Sequence, residues 1–370
     1  MIILDKPYVS DFLIETIKKE GFEVLDNETS RKYFSNHKLI KTQSAKNSEK
    51  FYTNSENSLF WFSENMQNSN ILKMIELCKN KVLFRKTLSK IYPDYYFKSV
   101  KFNELKNIKP EKYPLILKPS TGFLSFGVYP IKNENEWNSV LLKIEKDIEK
   151  LQGVFPLCVV DTGNFIIEEL IEGREFALDA YFDEKGEAII LNIFEHPFFD
   201  DKDVSDRAYY TNKMIFNKFY DKFLELLNKI GKIGNFKNFP FHIELRANQN
   251  AIIPIEINPL RFCGWCITDI AQNAWGINVY EYYFKNKKPD WENILKKADD
   301  DYFYFTIGEN PKGKFNDINY NAYLKNISNP LVIRKIDYKN NPIFAIVFAK
   351  TKSIDEIKNI LKLDMNEFKI

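Results

Sequence analysis

Arginine, histidine, cysteine and glycine are all scarce in this chain of 370 residues. Each scarcity excludes something. Four cysteines (Cys78, Cys158, Cys263, Cys266) are too few to staple a chain of this length as a disulfide scaffold. Cys263 and Cys266 form a C-x-x-C pair, but no second pair stands near it for zinc and no redox-type strand–motif–helix context surrounds it, so both read as packing residues. No apolar run approaches the ~20 residues that span a bilayer. The opening MIILDKPYVSDFL is broken by Asp5, Lys6 and Asp11 and lacks a basic stretch followed by an apolar one, so no secretory leader is expected. Charge of one sign is also lacking: 53 Lys and Arg face 51 Asp and Glu, a net +2, which creates no field for nucleic acid or anionic lipid. The expectation is a cytoplasmic protein with no nucleic-acid or membrane partner. The seven arginines (Arg31, Arg85, Arg174, Arg207, Arg246, Arg261, Arg334) say more by their positions than any of the many lysines.

What is present is a 44% apolar chain that can bury a full core over two or three domains of ~100–200 residues each. Residues 1–80 read as strand, helix and strand followed by a polar Ser/Asn/Lys-rich stretch, a small α/β entry domain with no glycine-rich dinucleotide turn. Strand-like runs at Tyr95–Val100, Tyr113–Lys118 and Phe126–Ile131 precede a long amphipathic helix over Glu134–Leu151. Glu175–Phe182 and Ala188–Phe194 alternate as a hairpin, Lys213–Ile230 is helical, Phe241–Arg246 and Ala251–Ile257 form a second hairpin, and Asp269–Tyr283 reads as one helix. Residues 301–370 hold strands near Tyr302–Ile307, Leu331–Ile336 and Ile343–Ala349, then a helix near Ile354–Leu361.

The most informative run is His242-Ile-Glu244-Leu-Arg246 with Ile255-Glu256-Ile-Asn258-Pro259. Alternate residues of a strand share a face, so Glu244 lies with His242 and Arg246, and Glu256 with Asn258. Paired as a hairpin, two carboxylates and an amide oxygen converge while Phe241, Ile243, Leu245, Ile253, Ile255 and Ile257 form the apolar reverse. Hard oxygen donors of that kind suit Mg²⁺. A second run, Tyr113-Pro-Leu-Ile-Leu-Lys118-Pro-Ser120-Thr121-Gly122-Phe-Leu-Ser125-Phe-Gly127, ends an apolar strand at a lysine and enters a loop able to offer backbone N–H groups to phosphate, though it is no Walker A loop. A third, Ile166-Ile-Glu168-Glu169-Leu-Ile171-Glu172-Gly173-Arg174-Glu175-Phe, bends at Gly173 between two strands. A polar cluster at Glu195-His196 and Asp203–Tyr210 reads equally as a base or substrate contact and as a loop salt bridge; His37 reads as solvated.

In this order, over roughly Lys81 to Trp265, these motifs resemble the ATP-grasp superfamily. The resemblance implies an α+β fold: a domain over 81–300 made of a small lobe (about 95–172) and a large lobe (about 173–300) that grip Mg-ATP, preceded by the α/β domain 1–80 and followed by an α+β module 301–370. It implies that Lys81 and Lys118 contact phosphates, that Ser120, Gly122 and Ser125 belong to the phosphate-covering loop, that Glu168, Glu169 and Ile171 occupy the adenine hinge, and that Glu175 is the ribose acid. Glu244, Glu256 and Asn258 match the metal triad. Asn80 departs from the family's usual Asp before the first lysine, and Leu260 separates Asn258-Pro259 from Arg261, which commonly follows directly. The run Arg261-Phe-Cys-Gly-Trp265 is similar to one in the L-amino-acid ligases.

The activity so implied is Mg²⁺-dependent and ADP-forming: a small carboxylate is activated as an acylphosphate and joined to an amine, with Arg261 and His196 as catalytic candidates and His242, Arg207 and Arg261 as substrate contacts. The partners expected are a small-molecule carboxylate and amine, with a homodimer open. A phosphotransferase on the same fold, or a non-catalytic nucleotide-binding partner protein, are the alternatives.

Overall fold

The computed structural model describes residues 1–34, 39–121, 127–151, 163–200, 203, 205–310 and 315–370, with the backbone alone over 145–151. It divides into two compact units: residues 1–59, 174–231 and 236–370 form one, residues 60–173 and 232–235 the other.

The chain starts in the larger unit. Strand β1 (Ile2–Ile3) pairs in parallel with β2 (Tyr52–Thr53). Between them runs helix α1 (Asp11–Glu20), capped by the Ser10 hydroxyl, which accepts from the Leu13 N–H, and closed by Gly21 in the left-handed region. The expected strand at 22–25 is reduced to single parallel bridges, Ile2 to Val24 and Leu25 to Ile40. β2 lies inside the polar stretch that carries no apolar alternation, which is why the sequence hides it.

In the smaller unit, α2 (Lys81–Leu88) is followed by β3 (Phe97–Lys101), β4 (Leu115–Pro119), β5 (Tyr129–Ile131), α3 (Glu134–Leu151) and β6 (Asn164–Glu169). The strands form an antiparallel sheet in the order β3-β6-β4-β5. Its core joins Val100, Leu115, Leu117, Ile131, Phe165 and Ile167 to Trp137 and Ile144 of α3. Those two helix positions follow the predicted 3.6-residue stripe.

The larger unit continues with β7 (Arg174–Phe182), β8 (Ala188–His196), β9 (Ala208–Thr211), α4 (Lys213–Gly234), β10 (Phe239–Ala247), β11 (Ile252–Pro259), β12 (Tyr302–Glu309), β13 (Pro330–Lys335), β14 (Ile343–Thr351) and α5 (Ile354–Leu361). All eight strands join one antiparallel sheet in the order β11-β10-β7-β8-β9-β12-β14-β13. Residues 301–370, expected as a module of their own, supply three of its strands. β9 grows out of the polar cluster at 203–210 and is the bridge by which β12 reaches β8. The helix expected over 269–283 is two, Ile270–Trp275 and Val279–Phe284, because Gly276 takes φ +70° between them.

One face of β7 and β10 is packed with aromatics: Phe176 against Phe219 and Phe223 of α4, and Phe182 stacked on Phe236 and Phe241. Gly231 of α4 sits against that stack. A methyl group on it would lie 2.6 Å from the Phe182 ring. Phe182 is wedged between two other rings and cannot yield. Gly231→Ala should therefore destabilise the protein by about 1–3 kcal/mol, although alanine is the better helix former. Urea unfolding checks it; an unchanged or raised midpoint would contradict the packing.

Candidate functional site

In the smaller unit the site begins at a helix start. The Asn80 side chain accepts from the Leu83 N–H at 3.0 Å and caps α2, so the departure from Asp keeps the cap. Lys81 becomes the first helical residue, and its backbone N–H donates to the Ser120 carbonyl at 2.8 Å. Four residues on, Arg85 is buried. Its Nε donates to Glu168 Oε2 at 2.6 Å, and its guanidinium lies 4.6 Å from the centre of the Tyr95 ring. The other Glu168 oxygen pairs with the buried Lys118 ammonium. Burial alone would push the Glu168 carboxyl up, but Arg85 and Lys118 overcome it and hold it down at about 2. Lys118 is held below its ordinary value by burial, with Arg85 and Lys81 adding to that push against the pull of Glu168. The cluster thus brings Lys81, Lys118, Arg85 and Glu168 together with an excess of positive charge.

The Glu168 side chain is a partner of Lys118 and of Arg85. Glu169 turns the other way. Its carbonyl accepts from the Tyr95 hydroxyl at 2.9 Å and its N–H donates to the Tyr96 carbonyl at 3.1 Å. Ile171 is buried two residues on. Gly122 and Ser125 lie outside the described residues, as do His37 and Cys158.

In the larger unit, the alternation predicted for β10 and β11 holds from Phe241 to Glu244; beyond it the register shifts, and Ile253, expected on the apolar face, stands opposite Arg246. Glu244 stands opposite Glu256, and Asn258 opposite His242, with an irregularity after Glu244. β7 adds Glu175 opposite Arg246, Ala177 opposite Glu244 and Asp179 opposite His242. Burial pushes the Glu244 carboxyl well up, and the charges of Glu256, Asp206 and Glu175 add to it against Arg261. The Asn258 amide approaches Glu244 Oε1 at 3.5 Å. Among the described residues no three His, Cys, Asp or Glu stand as a metal cluster. The donor set here is two carboxylates and an amide, all hard oxygens, and a carboxylate whose charge is resisted by its neighbours fits a divalent cation.

Glu175 is engaged on both oxygens: Oε1 lies 3.1 Å from His196 Nδ1, and Oε2 accepts from Arg246 Nε at 2.9 Å. Its carboxyl is lowered: burial opposes, and His196 and Arg246 prevail. His196 is buried, stacked on Tyr209 at 3.9 Å between ring centres, with Nε2 2.9 Å from the Ser205 carbonyl. Both of its nitrogens meet acceptors, Glu175 Oε1 and the Ser205 carbonyl. Arg207 is not brought to the carboxylates. It donates to the Leu361 and Leu363 carbonyls and to Glu309, tying β9 to the C-terminal helix α5. Arg261 donates from Nε and Nη2 to Glu56 Oε1 at 3.2 and 2.7 Å and from Nη1 to the Phe262 carbonyl. Burial raises both thiols of the C-x-x-C, Cys266 to about 11, as expected of packing cysteines.

The profile of the ATP-grasp domain matches residues 111–269. A D-alanine–D-alanine ligase of Petrotoga mobilis is 32% identical over 160 residues, which is 41% of this chain and 48% of that protein. The chain thus aligns with about half the length of that relative. Among solved structures, an L-amino acid ligase from Bacillus licheniformis superposes with a TM-score of 0.67 at 16% identity, covering 99% of this chain and 96% of its own. Residues 111–269 match an ATP-grasp domain, and the chain has the ATP-grasp fold. A biotin carboxylase domain dimer of the Hydrogenobacter thermophilus 2-oxoglutarate carboxylase, in complex with MgADP, ADP and bicarbonate, shares the ATP-grasp fold with a TM-score of 0.63 at 13% identity over 98% of this chain and 89% of its own. No described helix is long and apolar enough to cross a membrane.

Three residues of this chain escape a motif reading: Arg85, Asp179 and Glu56. Arginine scarcity flagged the first; the others carry no local signal. Glu168 tests the cluster. Its folded carboxyl sits below the unfolded value of about 4.5, so its stabilisation is complete above that pH and is lost as pH falls toward about 2. Glu168→Gln should lower the unfolding free energy by roughly 3 kcal/mol at pH 7. The gap between variant and parent should close between pH 4.5 and 2 in urea titrations. A gap independent of pH would contradict the ion cluster.

Proposed function

We propose that this protein is an ATP-dependent ligase that activates a small carboxylate and joins it to an amine. The observation that carries the reading is the polar face of β10 and β11, where Glu244, Glu256 and Asn258 collect on a strand pair inside the matched domain. The resemblance to ligases of D-alanine and of L-amino acids supports amino-acid-like substrates.

In this reading Lys81 and Lys118 hold the nucleotide phosphates, with Lys118 kept in place by Glu168 and Arg85. The carbonyl and N–H groups around Glu169 and Ile171 receive the base. Glu244, Glu256 and Asn258 hold Mg²⁺, which when bound neutralises phosphate charge. A carboxylate oxygen attacks the γ-phosphorus as the bond to the ADP oxygen breaks, giving an acylphosphate. The amine nitrogen then attacks the acyl carbon, phosphate leaves, and the amine gives up a proton. Arg261 is a fork-shaped cation suited to a substrate carboxylate or to the acylphosphate.

The test is ADP and phosphate release from ATP with Mg²⁺ and pooled carboxylates and amines, products read by mass. ADP, phosphate and a condensed product are expected together. ADP with a stable phosphorylated compound would replace the reading by a phosphotransferase; tight ATP binding without turnover on any pair would favour a nucleotide-binding partner protein. Glu256→Gln should lower turnover by about a hundredfold or more with an unchanged urea midpoint. Full activity in that variant would refute the metal assignment.

A further inference from the structure

Four polar residues stand in one row across β11, β10, β7 and β8: Asn258 opposite His242, His242 opposite Asp179, and Asp179 opposite Asn192. Asp179 is fully buried, and its ion partner among the described residues is His242. Its Oδ1 accepts twice, from His242 Nδ1 at 2.7 Å and from the Cys263 backbone N–H at 2.8 Å. Its Oδ2 is buried and meets no donor among the described residues. Asn192 is buried likewise. Its Oδ1 accepts from Trp275 Nε1 and the Ile193 N–H, while its Nδ2 meets no acceptor among the described residues.

A buried carboxylate with one oxygen unsatisfied is an expensive way to receive two N–H groups. An asparagine of the same shape could receive both through its own Oδ1 without burying a charge. What the carboxylate does that an amide does not is accept only. Opposite Asp179, the neutral His242 ring, itself buried, must carry its proton on Nδ1 and leave Nε2 as an acceptor. Nε2 lies 3.9 Å from Glu244 Oε1, beyond hydrogen-bond reach. The oxygen that sets the ring also anchors the loop carrying Arg261, whose backbone takes positive φ at Leu260, Trp265 and Cys266. That loop has little regular structure to hold it, so an anchor from the sheet is what fixes Arg261 relative to His242.

We propose that Asp179 is the positioning residue of this site, holding His242 in the Nδ1–H tautomer so that Nε2 accepts an N–H of the incoming amine, and pinning the Arg261 loop through the same oxygen. The amine half rests on the ligase reading; the tautomer half stands without it. An accepted N–H at Nε2 directs the amine nitrogen's lone pair away from the ring and toward the acyl carbon.

The experiment is a two-bond ¹H–¹⁵N spectrum of the imidazole groups in the full chain. The chain holds three histidines, His37, His196 and His242, so each is assigned by its own His→Gln variant. The wild-type His242 ring, when neutral, should carry its proton on Nδ1. In Asp179→Asn the population should shift toward Nε2–H, the amine KM or the kcat should worsen about tenfold to a hundredfold, and the KM for ATP should stay within about twofold. A proton on Nε2 of wild-type His242 overturns the proposal, as does a variant whose spectrum and kinetics match the parent. Should Asp179→Asn fail to fold, the wild-type spectrum alone decides. A wild type that forms no ADP with any carboxylate–amine pair defeats the ligase reading and leaves the tautomer result standing, so the two failures are separable.

Discussion

A carboxylate taken out of water has to be answered by a donor or a cation, and the larger unit buries several on one sheet face. Strand alternation commits it to this. One face of β7 and β10 carries Phe176, packed against α4, with Phe182 and Phe241, so Glu175, Asp179, His242, Glu244 and Arg246, which alternate with them, share the opposite face. There the structure answers them one at a time. Glu175 takes Arg246 and His196. Asp179 takes His242 and a backbone N–H. At Glu244 the balance runs the other way, since burial and three neighbouring acids push its carboxyl up with Arg261 opposing. A divalent cation reverses that balance, which is the physical reason to read the β10–β11 pair as the metal end of the site.

The smaller unit has the opposite imbalance. Arg85 and Lys118 share one buried acid, and Lys81 is close enough to push on Lys118. Glu168 offsets part of the cost of burying the two cations and fixes the lysine's direction. The remaining positive charge is what a triphosphate would answer.

Much of this was legible where chemistry and periodicity coincide within a few residues. Glu244, Glu256 and Asn258 could be placed together because a two-residue alternation and a short turn determine which side chains share a face. The hairpin of β7 and β8 was legible for the same reason. What stayed hidden depends on pairing between distant segments. Arg85 meets Glu168 across 83 positions, His242 meets Asp179 across 63, and Arg261 meets Glu56 across 205. No local pattern encodes such partners. Asp179 was further masked by its setting, since within Phe176–Phe182 it reads as one polar residue in an apolar strand. The C-terminal strands were legible as strands, but their membership of the main sheet turns on β9, four residues inside a segment that reads as a polar loop.

In the ligase reading, the pairing of Arg261 with Glu56 would limit what the site accepts. The guanidinium is already neutralised by a carboxylate of its own chain, and its third nitrogen is bound to the Phe262 carbonyl. The segment that supplies Glu56 is held beside the loop by the Thr53 N–H, which donates to the Leu260 carbonyl at 2.7 Å. In the ligase reading an incoming anion therefore meets a balanced pair rather than a bare cation. It binds well only if it brings something for Glu56 as well as something for Arg261. A simple anion brings only half of that. A molecule with an anionic and a cationic or hydrogen-bond-donating end brings both, which is the charge pattern of an amino acid. Selectivity on this view is written partly in residues before position 60, whose composition is the least patterned in the chain.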